Sequence, residues 1–371
     1  MALTAGSALA QTVQGVSDTE ILIGSHQDLS GPIASTGAPI RELMQFAVDD
    51  VNAAGGIHGR KLRLIVEDSS YDTKKAVLAT QKLLTQDKVF ALVATLGSPT
   101  SLASMPLAID RGIPFLFPAA ASDSGYLPFH PLKFGLMTPY SDQTRAAVKF
   151  AYDKLGKRRF GVLYQDDDNG QNLLQALVSE LKTLGMAPIE ATNFKRGEFE
   201  FSAQIARLKA ADVDVIILGT SGARDTAGAA IETKKLGWNV DMIAGVGASN
   251  ETVIRLGGKA VEGLYATFQF LNSTQPMTPA LRTALDRFKT RYGHDAGDGM
   301  LGYNAVMLFA EGAKNAGRNL TPQTLTQGLE KIKNFTTVFA GPAFTYGPGN
   351  HNPPNTPIMM KVKDGKYVPV L

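Results

Sequence analysis

Cysteine is absent from the 371 residues, which excludes disulfides and thiolate metal sites. Its absence also weighs against a disulfide-stapled animal receptor ectodomain. Neither sign of charge dominates: 37 Lys and Arg stand against 34 Asp and Glu, and there is no basic block, so nucleic acid is not an expected partner. No apolar run reaches the roughly 18 residues a bilayer span needs. The five histidines, His26, His58, His130, His294 and His351, lack H-x-x-x-H spacing, and no metal or other cofactor is expected. His26, placed after the first strand, is read as structural by default. "GVGASN" at 245–250 lacks the third glycine of a dinucleotide fingerprint, and no Walker lysine-serine pair exists. "GTSGA" at 219–223 is not a nucleophile elbow. "QDDDNGQN" at 165–172 resembles a calcium loop, yet aligning Gly170 with that loop's glycine puts Gln165 at the first ligand position and Ala176 where a bidentate Glu belongs. With no nucleophile–base pair or metal cluster in view, catalysis is not expected. A hydrolase or transferase on an α/β scaffold stays as an alternative that a turnover screen would separate.

What is present is length and alternation. The chain is long enough for two domains of roughly 150 residues. "MALTAGSALAQ" carries an A-x-A pattern at Ala8-Leu9-Ala10 and reads as the tail of a secretory signal, so residues 1–16 are set apart as a leader. Apolar, strand-like runs at 20–23, 62–66, 91–94, 114–117, 160–163, 213–218 and 242–244 alternate with helical patterns such as 40–52 and 74–86. Short continuous apolar strands separated by helices predict parallel sheets covered on both faces, a doubly wound α/β class. The pattern restarts near Ser141, which predicts two similar lobes. Helices are expected at 279–292, 300–315 and 322–331, and a terminal hairpin turning at Asp364-Gly365.

One loop carries the functional argument. "ALVATLGSPTSLASM" at 91–105 ends a strand in small residues with hydroxyls and no charge. In open parallel sheets ligands sit beyond the carboxyl ends of the strands. A helix starting near Ser101 would offer unpaired backbone N–H groups there, with Ser98 and Thr100 adding hydroxyls, an arrangement suited to a carboxylate. The next strand ends alike, in Pro118 through Ala119, Ala120, Ala121 and Ser122, so the two loops are expected to form two sides of one pocket.

Several stretches resemble the periplasmic solute-binding proteins of the Leu/Ile/Val-binding family, which deliver ligand to ABC importers. These are Ser30-Gly31-Pro32 with Gly37, the run from Asp50 and Val51 through Gly55-Gly56-Ile57 to Gly59-Arg60, and Asp68. Phe201-Ser202 leading into Ile205 to Lys209, Glu262-Gly263 and Tyr303-Asn304-Ala305-Val306 extend the resemblance over nearly the whole chain after Ser17. It implies a type I periplasmic binding protein fold: two α/β lobes joined by three crossings, closing like a hinge. The crossings are expected near 137–141, 268–271 and 340–344, giving lobe one as 17–138 plus 271–340 and lobe two as 139–270 plus 341–371.

The resemblance also implies site residues. The family's carboxylate-binding serine matches Ser98, with Leu96 and Gly97 beside it. Its Ala-Thr pair matches Ala120 and Ala121, so the hydroxyl is missing unless Ser122 supplies it. Family aromatics fall at Thr36, Asn169 and Ser221, and the acid that pairs with an α-ammonium falls at Val246. An ammonium buried without an acidic partner costs several kcal/mol. The ligand is therefore expected to be a carboxylate without a standard α-ammonium, apolar or aromatic in body, with Arg224 as a possible clamp. An aliphatic or branched-chain amino acid is the alternative, and a sensory ligand-binding module is a second one. The expected partners are the ligand and permease subunits of the inner membrane. The expected state is a periplasmic monomer.

Overall fold

The computed structural model describes residues 13–245, 251–269, 277–296, 299–339, 343–353 and 357–370. Two sheets organise them. The first is five-stranded and wholly parallel, in the order β2-β1-β3-β4-β5. Its strands are β1 (Glu20–Gln27), β2 (Lys61–Asp68), β3 (Ala91–Val93), β4 (Phe115–Leu116) and β5 (Lys133–Phe134). Helices α1 (Ala34–Ala53), α2 (Thr73–Thr85) and α3 (Ser98–Ile109) connect them.

The second sheet has seven strands in the order β12-β11-β10-β9-β8-β6-β7. Here β6 (Phe160–Gln165), β7 (Glu190–Phe194), β8 (Val215–Gly219), β9 (Asp241–Ala244) and β10 (Tyr265–Phe268) run parallel. The hairpin of β11 (Ile358–Lys363) and β12 (Lys366–Pro369) adds antiparallel to β10. Its turn is at Asp364 and Gly365, both left-handed, as the sequence predicts. Helices α4 (Tyr140–Asp153), α5 (Asp168–Thr183), α6 (Ser202–Ala210), α7 (Ala223–Lys235) and α8 (Glu251–Gly257) belong to this lobe.

The chain then returns to the first lobe. Helices α9 (Pro279–Tyr292), α10 (Met300–Ala316) and α11 (Pro322–Glu330) share one apolar core with α1 and the first sheet, centred on Phe46, Phe288, Phe309 and Phe339. Gly302 and Gly299 let α10 approach α1 closely; a Cβ on Gly302 would lie 2.3 Å from the Ile40 carbonyl oxygen. Among the described residues no helix is long and apolar enough to cross a membrane.

The junction between lobes is hydrogen-bonded. Gln269, just after β10, accepts from the Thr138 N–H at 2.8 Å and donates to the Leu136 carbonyl at 2.5 Å, tying the first crossing to the second. The third crossing departs from expectation. Phe344 pairs with Phe335, the Tyr346 hydroxyl donates to the Gly135 carbonyl at 2.7 Å, and His351 stacks on Phe134. Residues 343–353 thus pack with the first lobe, and Ile358 is where the chain next joins the second sheet. Three buried aromatic partners outweigh the proximity in sequence to the terminal hairpin.

Candidate functional site

The first lobe's contribution begins with strand ends. β1 runs four residues past its apolar stretch, through the fully buried Ser25, His26 and Gln27. Gln27 donates to the Ala94 carbonyl at 2.6 Å, and the Leu96 N–H donates to the His26 carbonyl at 3.0 Å, which fixes the loop after β3 to β1. His26 itself meets Ser104 of α3 at 3.0 Å. Burial pushes its imidazole down to about 4, which favours the neutral ring.

α3 begins at Ser98, three residues earlier than expected. Gly97 is its N-cap with φ of 91°, and Pro99 occupies the first turn, where its missing N–H costs no helical bond. The first helical bond is from Ser101 N–H to the Gly97 carbonyl, so the N–H groups of Ser98 and Thr100 lie at the open end of the helix. The Thr100 hydroxyl is committed inward, to the carbonyls of Leu96 and Gly97. The Ser98 hydroxyl is different: it donates at 3.3 Å to the hydroxyl of Tyr140, the first residue of α4.

The loop after β4 stands beside it. Leu96 and Ala119 form a bridge, and the Gly97 N–H donates to the Ala119 carbonyl at 3.1 Å. The Ala120 carbonyl accepts from the Tyr126 hydroxyl, and the Ala121 carbonyl from the Tyr140 N–H at 2.8 Å. Ser122 is buried and caps the short 3-10 turn Asp123–Gly125. The two small-residue loops therefore do meet, and Tyr140 touches both.

The second lobe brings side chains. Asp167 caps α5, accepting from the N–H groups of Asn169 and Gly170 at 3.0 and 3.3 Å. Asn169 donates to the Ser221 hydroxyl at 2.9 Å. Ser221 also pairs with the Tyr71 hydroxyl of the first lobe. Buried Asp225 accepts from the N–H groups of Ser221 at 2.6 Å and Gly222 at 2.9 Å; burial pushes its carboxyl up to about 6 against those bonds. Arg196 donates to the Tyr71 carbonyl and to Asp167, each at 3.0 Å.

The expected residues thus divide. Leu96, Gly97, Ser98, Thr100 and Ala120 to Ser122 gather at one place, and Asn169 and Ser221 gather across from them. Thr36 is half-buried near the start of α1, its N–H bonded to the Ile33 carbonyl. Arg224 is exposed, its guanidinium 4.1 Å over the Phe199 ring, at the edge of the small void shared with Ser221 and Tyr71. Val246 lies outside the described residues. Among those described, no three His, Cys, Asp or Glu side chains gather as metal ligands do.

Two residues were missed. Tyr71 is buried and Tyr140 half-buried where the lobes meet, and desolvation pushes both phenols up, Tyr140 to about 12. The available signal was position: one tyrosine directly follows a strand end, the other sits at a lobe crossing. Their rings matter for the expected ligand. The space beside Ser221 is not vacant, since Tyr71 fills it, and the void among Ile33, Tyr71, Arg196 and Ser221 is only about 10 Å³, room for about one water.

The family model described as periplasmic binding protein matches residues 20–366. The chain belongs to that family. It is a family of solute-binding proteins, not enzymes. A curated relative, "Leu/Ile/Val-binding protein homolog 1" of Brucella suis, is 26% identical over 345 residues, covering 91% of this chain and 90% of that one. The "Leu/Ile/Val-binding protein" of Escherichia coli is 26% identical over 259 residues, 68% of this chain and 70% of the other. Among solved structures, a branched chain amino acid ABC transporter from Thermus thermophilus with bound valine superposes with a TM-score of 0.85 at 18% identity, covering 95% of each chain. A fatty acid ABC transporter substrate-binding protein from Thermomonospora curvata gives 0.83 at 23% identity, covering 97% and 94%. The architecture is the type I periplasmic binding protein fold.

Proposed function

We propose that this periplasmic binding protein is the solute-binding component of an ABC importer, located in the periplasm, where it captures an aliphatic amino acid as a monomer and delivers it to permease subunits. The observation that carries the reading is the meeting of the Ser98 and Ala120–Ser122 loops at the open end of α3. Backbone N–H groups at a helix start, the Ser98 hydroxyl in a long 3.3 Å bond to Tyr140, and small neighbours suit a carboxylate. The relatives' names point to leucine, isoleucine and valine, and Tyr71 fills space that a planar ring would otherwise use.

A second reading is the amine-free acid, with an apolar or aromatic body. Ala121 favours it, because the hydroxyl that helps hold an ammonium in the family is absent there, and Asp167 is already engaged by Arg196. The fold does not choose between the two, as its hosts include a protein named for fatty acids. Titration calorimetry with leucine, isoleucine and valine against 4-methylpentanoate, benzoate and cinnamate decides. Binding of the amino acids alone supports the first reading. Binding of the acids alone replaces it with the second, and binding of neither removes both.

A further inference from the structure

We propose that Arg196 is a latch between the lobes that raises affinity for whatever the cleft holds without touching it. The inference rests on the solute-binding reading above. Arg196 lies between β7 and α6, in the second lobe. One terminal nitrogen donates to the Tyr71 carbonyl of the first lobe at 3.0 Å, the other to Asp167 of its own lobe at 3.0 Å, and the guanidinium lies 4.6 Å from the Tyr71 ring centre. A planar fork that bonds at both ends while stacking is available to arginine and not to lysine.

The residue it grips is held for the purpose. Ser70 and Tyr71 are both left-handed, with φ of 47° and 54°. The Tyr71 ring covers Gly97, where an added Cβ would come within 2.3 Å of it. Arg196 therefore fastens the second lobe to the side chain that roofs the start of α3. A second fastening stands on another part of the boundary: Asp123 accepts from Ser141 of α4 at 2.9 Å and from Asn172 of α5 at 3.0 Å.

Away from the crossings, a contact such as Arg196 with Tyr71 requires the two lobes to be close together. Where the closed form is the one that holds ligand tightly, such a contact raises its population, and the apparent affinity rises by the same factor for every ligand. A residue touching ligand would instead change the preference among ligands.

The test is Arg196→Ala and Arg196→Lys, with thermal unfolding to verify folding. Arg196→Ala is expected to weaken leucine, isoleucine and valine together, by roughly tenfold, mostly through faster dissociation and with their ratios kept. Arg196→Lys recovers part of the loss, through its charge over Tyr71. Unchanged affinities overturn the latch, as does a change in the ratios. If the native protein binds none of the three, the amino-acid reading fails, and the latch is judged by small-angle scattering without ligand. A native protein more compact than Arg196→Ala upholds it; identical profiles overturn it.

Discussion

The two edges that face each other across the cleft are built by opposite means. On the first lobe, Ser70, Tyr71, Ala94 and Phe117 follow strands β2, β3 and β4 in the left-handed region, which non-glycine residues rarely adopt. The loops between them satisfy themselves: Thr95 with Ser101, Thr100 with Leu96 and Gly97, Tyr126 with Ala120. The described loops after β6, β7 and β8 contain no left-handed non-glycine residue, and rely on Asp167, Arg196, Asn169 and Asp225. The first edge is a receptor whose backbone is fixed in advance. The second is a jaw built on polar side chains paired mostly within their own lobe, with Arg196 reaching across to Tyr71. One edge holds its shape through backbone conformation, the other through side-chain hydrogen bonds.

Breaking the fixed edge should have the largest effect. Gly97→Val places a branched Cβ at φ of 91° and against Tyr71. Affinity for leucine by calorimetry should fall more than about 100-fold, since strain and the blocked ring together exceed roughly 3 kcal/mol.

Acid reaches the same edge through His26. Its folded pKa of about 4 lies below the ordinary 6.5, so the unfolded chain binds the proton first as pH falls. Its stabilisation is complete above pH 6.5 and is lost as pH drops toward 4, by roughly 3 kcal/mol. Asp225 runs the other way, its raised carboxyl giving up stability as pH rises through about 6. Urea unfolding of native and His26→Gln proteins from pH 7 to 4 isolates the histidine: the native protein should lose more stability than the variant over that interval.

Ser98→Ala removes one hydrogen bond to a charged group and should weaken leucine roughly 10- to 150-fold in the same calorimeter. On the jaw the effects shrink outward. Arg224→Ala removes an exposed cation from Phe199 and should change affinity less than about twofold, as surface substitutions generally do.

Legibility in the sequence followed the same division. Strands, their parallel class and the restart at the second lobe were readable, because buried parallel strands are continuous apolar runs. β1 was cut short at Ile23, since Ser25, His26 and Gln27 are polar yet fully buried, and hydrophobicity does not register them. α3 is expected from Ser101 and starts at Ser98, since Pro99 is tolerated in the first turn. The loop after β3 was legible as a small-residue helix start because consecutive residues build it. The contacts between edges were not: Arg196 meets Tyr71, and Tyr140 meets Ser98, across long stretches of sequence. The room expected beside Ser221 is taken by Tyr71, which no local pattern announces.

The central claim is that the fixed edge, and not the jaw, holds the acid group of the solute. A crystal structure with bound leucine tests it most directly. The account predicts the carboxylate within about 3.2 Å of the Ser98 hydroxyl and the Thr100 N–H. A carboxylate seated on Arg196 or Arg224, with Ser98 still bonded to Tyr140, would contradict it.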